Sequence, residues 1–358
     1  MTKILLNMTA KPRLIIVSPR QYGYQTDYLK YTEYLIPYFD VVFLCLDQGE
    51  RKIKNNEIKL KYTRIKNKKI AQFLFLVKTY IYILTHNGVV MSTNFKGCRF
   101  LKTFMPWRKM AVNIRTVSVD KDVSKCHKQN EQILHDVHPF DRIIMISEGG
   151  ARQLKLPMEK VSIVSLGADV ISQKRKEFGT IKLLYVGTLN NRDIIKTVIG
   201  FHKYIKQSGD IEAKYDIVGS GDEFALIEEY IRTEQLGLRI ILHGQKNYNE
   251  LKEFFDHSNV GVSFVPITPM YSYQPPTKTF EYINSGLFCI ATQTFANSEV
   301  IIPANGILIP DNAENFCNAL QKFIQNKEKI SDKEIRSTGQ AYLWKNIVEQ
   351  QLLPALKF

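Results

Sequence analysis

Residues 274–291 read QPPTKTFEYINSGLFCIA and contain one unit of a pattern that recurs along the chain. Two prolines pre-set the backbone ahead of an amphipathic helix, for which Thr277 is the predicted N-cap. Residues 283–286 then lead directly into the apolar strand at 287–291. A helix that runs straight into a continuous apolar strand is typical of a parallel sheet covered on both faces.

The same alternation extends outward in both directions. Apolar runs of strand length occur at 14–17, 41–46, 89–91, 110–114, 143–146, 161–164, 181–186, 215–218, 240–242, 260–265, 288–290 and 307–309. Stretches of helical length, such as 193–206 and 223–234, lie between most of them. Twelve strands are more than a single open sheet usually contains, and the polar stretch 173–179 divides them into two groups of six. The sequence therefore predicts an α/β protein with two Rossmann-like, doubly wound parallel-sheet domains facing each other across a cleft. These domains are expected at 1–170 and 171–337.

The basic residues are concentrated in the first predicted domain. The chain of 358 residues carries a net charge of +14, and all of that excess lies in residues 1–170. The five cysteines form no CxxC pair, which fits a reducing, cytosolic setting. The longest apolar stretch, 70–84, is shorter than the about 20 residues of a membrane-spanning helix and contains Lys78.

Two predicted strand ends in the second domain carry cations. Gly187 follows one strand and leaves room for backbone N–H groups to approach an anion, with Arg192 close behind. At the other, Lys278 lies beside the free N–H groups of a helix start, and Glu281 follows one turn later. A solvent-exposed arginine and a carboxylate that merely complements the helix dipole are equally good interpretations from local physics. The turn IVGSGDE at 217–223 lacks the third glycine of a dinucleotide fingerprint, and we assign it no chemistry.

The order of these segments resembles the C-terminal domain of GT-B glycosyltransferases, especially the large retaining group (family 4) that uses nucleotide-diphosphate sugars. The resemblance covers residues 181 to 323. It comprises YVGTL at 185–189, IVGSGDE at 217–223, LHGQ at 242–245, PTKTFEY at 276–282 and SGLFCIAT at 285–292. It implies the GT-B fold, and by analogy a final helix at 338–358 that packs back on the N-terminal domain.

The resemblance also implies roles for individual residues. Glu281 would bind the donor ribose, and Arg192 and Lys278 would neutralise the diphosphate leaving group. The other donor-binding residues would be Gly187, Thr188, Gly244, Gln245, Gln274 and Thr277. Two positions depart from the family pattern, because Tyr273 stands where its first glutamate is usual and Thr188 where an arginine is usual. A UDP-sugar is the favoured donor, a GDP-sugar is the alternative, and no further cofactor is expected.

No metal site is predicted. No DxD-type pair follows a strand, which removes the usual argument for a divalent ion on the donor diphosphate. Cys126, His127, His135 and His138 do not have a spacing typical of zinc sites. Positive side chains and a helix N-terminus would then stabilise the leaving group.

Residues 51–69 hold nine basic residues and one acid, and the apolar helix candidate 70–84 follows directly. A basic segment beside such a helix favours an anchor on an anionic membrane surface through residues 51–84. A solvated loop leading into an ordinary buried helix is the alternative. Nucleic acid is disfavoured as a partner, because no helix-turn-helix, aromatic RNA platform or zinc-finger spacing is present.

Taken with the resemblance, the sequence predicts a cytoplasmic glycosyltransferase, peripheral on the inner face of the cell membrane. It would transfer a hexose-type sugar, with retention, to a glycan or lipid-linked acceptor in cell-surface polysaccharide synthesis. Two other functions stay open. One is a nucleotide-sugar 2-epimerase, and the other is a non-catalytic GT-B-like module that binds a polyanion or a membrane surface.

Overall fold

The computed structural model describes residues 11–64, 67–118, 122–274 and 276–358. The chain divides into two compact units. The first comprises Met1–Ser165 together with Ile347–Phe358, and the second comprises Leu166–Asn346.

The first unit contains a parallel sheet of seven strands. These are β1 (Arg13–Ser18), β2 (Asp40–Leu46), β3 (Lys59–Thr63), β4 (Val89–Thr93), β5 (Met110–Ile114), β6 (Arg142–Met145) and β7 (Val161–Ile163), in the order β3-β2-β1-β4-β5-β6-β7. Its helices are α1 (Thr26–Leu35), α2 (Lys68–Thr85), α3 (Arg99–Thr103), α4 (Val123–Val137) and α5 (Glu148–Gln153).

The second unit contains a parallel sheet of six strands. These are β8 (Lys182–Val186), β9 (Lys214–Val218), β10 (Ile240–Leu242), β11 (Val260–Ser263), β12 (Phe288–Thr292) and β13 (Gly306–Ile309), in the order β10-β9-β8-β11-β12-β13. Its helices are α6 (Ile194–Ser208), α7 (Phe224–Thr233), α8 (Leu251–His257), α9 (Pro269–Ser272), α10 (Thr277–Asn284), α11 (Phe295–Ser298), α12 (Ala313–Asn326) and α13 (Asp332–Gly339).

The last part of the chain leaves the second unit and joins the first. It consists of α14 (Trp344–Ile347), a π-helical turn at Val348–Leu352 and α15 (Leu353–Ala355). The division between units falls at Ile347. Within the first unit, the backbone N–H of Ser165 donates to Oε1 of Gln351 at 2.8 Å, which ties this segment to the end of the sheet.

The predicted α/β class with two doubly wound parallel sheets is confirmed. Each predicted apolar run forms a strand, and the central strands β5 and β12 are buried along their whole length. Strands covered on both faces need apolar side chains at nearly every position, which explains their mostly hydrophobic sequences, MAVNI and FCIAT. No helix among the described residues is both long enough and apolar enough to span a bilayer.

One strand was missed by the sequence. Residues 59–63, interpreted there as part of a basic loop, form the edge strand β3 beside β2. Lysines on an edge strand discourage pairing with another chain. Lys59 Nζ also contacts the Asp40 carboxylate at 3.0 Å, and this hydrogen bond lowers the pKa of Asp40. Part of the basic excess is therefore neutralised within the unit.

Candidate active site

The second-unit sheet changes strand order between β8 and β11. In doubly wound sheets, ligands bind outside the carboxyl ends of the strands at such a point. Gly187 follows β8 there, residues 190–193 precede α6, and the N-terminus of α10 carries Lys278. These three segments form the candidate site.

Lys278 projects over an aromatic ring at the end of β8. Its Nζ lies 3.9 Å from the ring centroid of Tyr185, a buried residue. Burial, followed by the positive charge of Arg192, lowers the pKa of Lys278 to about 7, and the charge of Glu281 opposes that shift. A lysine held beside a second cation in a partly desolvated site is well suited to meet an anion.

Arg192 supplies the second cation. Its guanidinium carbon lies 4.6 Å from the ring centroid of Tyr271, a residue of α9. The ring restricts the guanidinium while leaving its donors available for a planar, two-point contact with phosphate oxygens. The positive charge of Arg192 lowers the pKa of Lys278, and it opposes the rise that burial gives the pKa of Tyr185.

The loop that carries Arg192 is fixed by Glu223. The backbone N–H groups of Arg192 and Asp193 donate to Oε1 of Glu223 at 2.8 and 2.7 Å, and that of Ile195 donates to Oε2 at 3.3 Å. The turn at 217–223 was assigned no chemistry from the sequence, and in the structure its last residue, Glu223, places its carboxylate at the N-terminus of α6. The N–H groups at the start of α6 are therefore already paired with a carboxylate.

We expect Glu223→Ala to lower the free energy of unfolding by about 1–2 kcal/mol, because three partly buried N–H groups lose their acceptor. Asp222→Ala, at the exposed neighbouring position, should change it by less than about 0.5 kcal/mol. Urea unfolding of the two variants tests this difference. Equal losses in both would show that the carboxylate of Glu223 does not hold the loop.

The N-terminus of α10 lies beside Lys278. The N-cap is Pro276, whose side chain makes no capping hydrogen bond, and Thr277 is the first helical residue. The predicted N-cap role of Thr277 is therefore wrong, because the preceding proline already ends the extended segment. One turn on, the buried Thr279 hydroxyl contacts Ser263 Oγ at 2.6 Å and Asn297 Oδ1 at 3.2 Å, which fixes the helix to the sheet.

Glu281 lies one turn after Lys278 and is partly buried. Burial raises its pKa to about 7, Lys278 opposes the shift, and the negative charge of Asp169 adds to it. Tyr248 is close to the same two carboxyl groups, and their charges add to the burial that raises its pKa. Glu281 thus interacts with one cation, Lys278, and with two further polar groups, Asp169 and Tyr248.

Glycines create the space in which these groups meet. A Cβ on Gly187 would overlap Lys278 Nζ and lie 3.3 Å from the Tyr185 hydroxyl. A Cβ on Gly219 would overlap the carbonyl oxygen of Gly187. The glycines of the 217–223 turn therefore serve close packing of the strand-end loops, consistent with the absence of assigned chemistry.

The remaining predicted donor residues lie on neighbouring strand ends. Gly244 adopts φ = 65°, and its carbonyl oxygen accepts a hydrogen bond from the Gly219 N–H at 2.8 Å. The Thr188 carbonyl accepts a hydrogen bond from the Tyr185 hydroxyl at 2.6 Å. The side chain of Thr188 is exposed. Gln245 is exposed and Gln274 is partly buried. Gly244 is therefore linked to the site through Gly219. The side chain of Gln245 is exposed, and no contact among the described residues joins it to Lys278, Arg192 or Glu281.

Tyr273, one of the two departures from the family pattern, packs against Phe295 with ring centroids 5.1 Å apart. An aromatic contact thus occupies the position where a glutamate is usual. The sequence also gave no sign of the two supporting rings, Tyr185 and Tyr271, or of the cap from Glu223. Each of these three side chains contacts a residue that lies on another element or far away in the chain, so no short sequence pattern predicts the contact.

Residues 169–340 match the family model described as Glycosyl transferases group 1. No curated protein matches the sequence. Among solved structures, the Anabaena protein Alr3699/HepE in complex with UDP and glucose has a TM-score of 0.72 at 12% identity, covering 96% of this chain and 99% of that one.

Two other structures have similar scores. Sucrose-phosphate synthase from Thermosynechococcus elongatus has a TM-score of 0.67 at 17% identity, covering 95% of this chain and 97% of that one. The lipopolysaccharide outer core galactosyltransferase WaaB has a TM-score of 0.67 at 15% identity, covering 96% and 99%. At these identities the likeness is one of fold across nearly the whole length of each chain.

Proposed function

We propose that this GT-B glycosyltransferase, identified by the glycosyl transferases group 1 domain at residues 169–340, uses a nucleotide-diphosphate sugar as its donor. A UDP-sugar is the favoured donor, supported by the UDP complex of the similar Anabaena protein, and a GDP-sugar is the alternative. The transferred group is a hexose-type sugar, and the acceptor is a glycan or a lipid-linked saccharide.

One observation carries the proposal. Lys278 and Arg192 each lie over an aromatic ring, and the charge of Arg192 acts on Lys278. The helix that begins beside Lys278 has an N-cap that makes no side-chain hydrogen bond. A diphosphate matches this arrangement, because its two negative charges pair with two cations and its oxygens accept from free helix N–H groups. Glu281, one turn further on, is in position to accept hydrogen bonds from ribose hydroxyls.

The same groups serve the chemical step. When the bond between the sugar and the diphosphate breaks, negative charge develops on the leaving oxygen. Lys278, Arg192 and the N-terminus of α10 stabilise that charge, so no metal ion is needed for this role. The family resemblance supports transfer with retention, in which a leaving-group oxygen accepts the proton of the acceptor hydroxyl. We place the reaction in cell-surface polysaccharide synthesis.

Thermal unfolding with added nucleotides tests donor binding. Millimolar UDP should raise the Tm of the full chain, and GDP should raise it less, because only a ligand bound to the folded state stabilises it. Incubation with a labelled UDP-hexose and cell-envelope glycolipids or glycans should then give labelled product and free UDP. Binding of no nucleotide would favour the non-catalytic module, and an epimerised sugar without transfer would favour the 2-epimerase.

We expect kcat/KM to depend on pH as a narrow bell centred near neutrality. A diphosphate esterified at both ends does not titrate in this range, so the enzyme sets the profile. Below about 7, protonation of Glu281 removes the acceptor for the ribose, and above about 7, loss of the Lys278 proton removes a cation from the leaving group. The two groups titrate as a coupled pair, and each limb approaches about tenfold per pH unit. A kcat/KM that stays constant from pH 6 to pH 8, without a maximum near pH 7, would contradict this assignment.

The charge distribution supports peripheral association with an anionic membrane surface on the cytoplasmic side. Residues 51–110 contain 15 lysines and arginines and a single acid, Glu57. Lys66 lies outside the described residues, and β3 accounts for part of the remaining segment. Co-sedimentation with anionic vesicles should weaken with salt if these charges contribute.

A further inference from the structure

Helix α2 is apolar on two opposite faces. Phe75, Thr79 and Ile83, spaced four residues apart, are buried against the first unit. The opposite face carries exposed apolar side chains at intervals of three or four residues, namely Ile70, Phe73, Val77, Ile81 and Leu84. Single exposed apolar residues are ordinary, but a continuous stripe along 18 residues marks a surface that meets something apolar.

A second apolar surface lies beside this stripe. Phe100 and Phe104 stack with ring centroids 5.9 Å apart, and with Trp107 they are 49%, 60% and 68% exposed. Hydrogen bonds fix this segment to α2 at one end and to the loop that follows α2 at the other. Gln72 Nε2 donates to the Lys96 carbonyl at 2.6 Å, and Arg108 Nη1 donates to Asn87 Oδ1 at 3.0 Å.

A groove of about 790 Å³ runs between α2 and this segment. Its walls are mostly apolar, including Phe73, Val77 and Tyr80 on one side and Phe100 and Phe104 on the other. The one carboxylate that lines it, Asp136, is buried and accepts hydrogen bonds from the Gly97 N–H and Gln132 Nε2 at 3.2 and 2.8 Å. The groove therefore suits hydrocarbon.

The rim of this surface is basic. Lys78, Lys96 and Lys109 are exposed around it, and Arg99 is partly exposed. Since residues 51–110 contain one acid against 15 bases, the surface complements a negatively charged partner. An acidic rim or a balanced one would be expected if a second copy of this basic unit were the occupant.

We propose that this apolar surface, formed by the α2 stripe, Phe100, Phe104 and Trp107, inserts into the headgroup–acyl boundary of an anionic lipid bilayer. Lipid hydrocarbon fills the groove, and the surrounding lysines meet lipid phosphates. Amphipathic helices with aromatic residues and a basic flank bind membranes in this way. The inference deepens the proposed peripheral association, which charge attraction alone would also produce.

Trp107 provides a direct probe. The chain has two tryptophans, and Trp344 is buried in the second unit. On adding vesicles of phosphatidylglycerol and phosphatidylcholine in equal parts, the emission of the full chain should shift to shorter wavelength. Lipids brominated on their acyl chains should quench it, and Trp107→Phe should abolish both effects. Phosphatidylcholine vesicles alone should give a much weaker response.

The double variant Phe73→Ser/Phe104→Ser should lower vesicle binding by about tenfold or more, since two large side chains lose their apolar contact. Leu238→Ser, at an 88% exposed site in the second unit, is the control and should bind as the wild type does. Binding that vanishes at about 1 M salt, without a Trp107 shift, would overturn insertion while leaving electrostatic association intact. Self-association or a protein complex that is lost in the double variant, with no vesicle binding, would also overturn it.

Discussion

Lys278→Met is expected to lower kcat/KM for the nucleotide sugar by about 10²–10³-fold, the usual cost of removing one donor to developing negative charge. Methionine keeps most of the length of the side chain and can pack its thioether near the ring of Tyr185, while the charge is lost. Steady-state kinetics with the preferred donor measure the loss. The Tm shift produced by the nucleoside diphosphate should fall in parallel.

The variant should not be destabilised in the absence of donor. The pKa of Lys278 in the folded protein, about 7, is below its unfolded value, so folding releases its proton between about pH 7 and 10. The unfolded state binds more protons in that window, and the wild-type contribution to stability therefore rises with pH through it. At neutral pH the charged amine of Lys278 destabilises the folded state, because burial disfavours its charged form. Replacing the amine removes this destabilisation, so the Tm at neutral pH should stay the same or increase.

Lys214→Met is the matched control. Lys214 is exposed at the first position of β9, at the opposite end of the strands from the site. It should retain full activity and full stabilisation by the nucleoside diphosphate. Wild-type kinetics for Lys278→Met would remove Lys278 from the donor site, and equal losses in both variants would show that the effect is not local.

The fold was predictable because its signal is local. A buried parallel strand is apolar at most positions, so each such strand is visible as a short apolar run regardless of the sequence around it. The edge strand β3 was missed for the same reason. Its sequence KLKYT alternates lysines with Leu60 and Tyr62, and only pairing with β2 distinguishes it from a charged loop.

The site was predictable only where reactive or charged residues lie close together in the sequence on one element. Lys278 and Glu281 lie one turn apart on one helix, so their proximity follows from the sequence. The supports of the site join distant parts of the chain, as when Glu223 fixes the backbone at Arg192. The same holds for Tyr185 beneath Lys278. Such contacts depend on how neighbouring loops pack, which no single stretch encodes.

Glu281→Gln is expected to lower kcat/KM by about 10²-fold, through two effects of one change. The amide cannot accept hydrogen bonds from the ribose as a carboxylate does, which weakens donor binding. The charge of Glu281 also raises the pKa of Lys278, so its removal lets that pKa fall further. The alkaline limb of the pH profile should therefore move to lower pH, which a purely steric loss would not cause. Glu228→Gln, at an exposed position of α7, should change neither quantity.

Because the second effect acts through Lys278, the two substitutions should not be independent. In Lys278→Met there is no amine left to titrate, and adding Glu281→Gln can then remove only the ribose contact. The double variant should lie within about tenfold of the weaker single variant, instead of showing the product of the two losses. Kinetics of all four proteins at pH 7.5 measure this coupling. Full multiplicativity would mean that the carboxylate and the amine act on the donor separately, and the paired-charge account of the site would then be wrong.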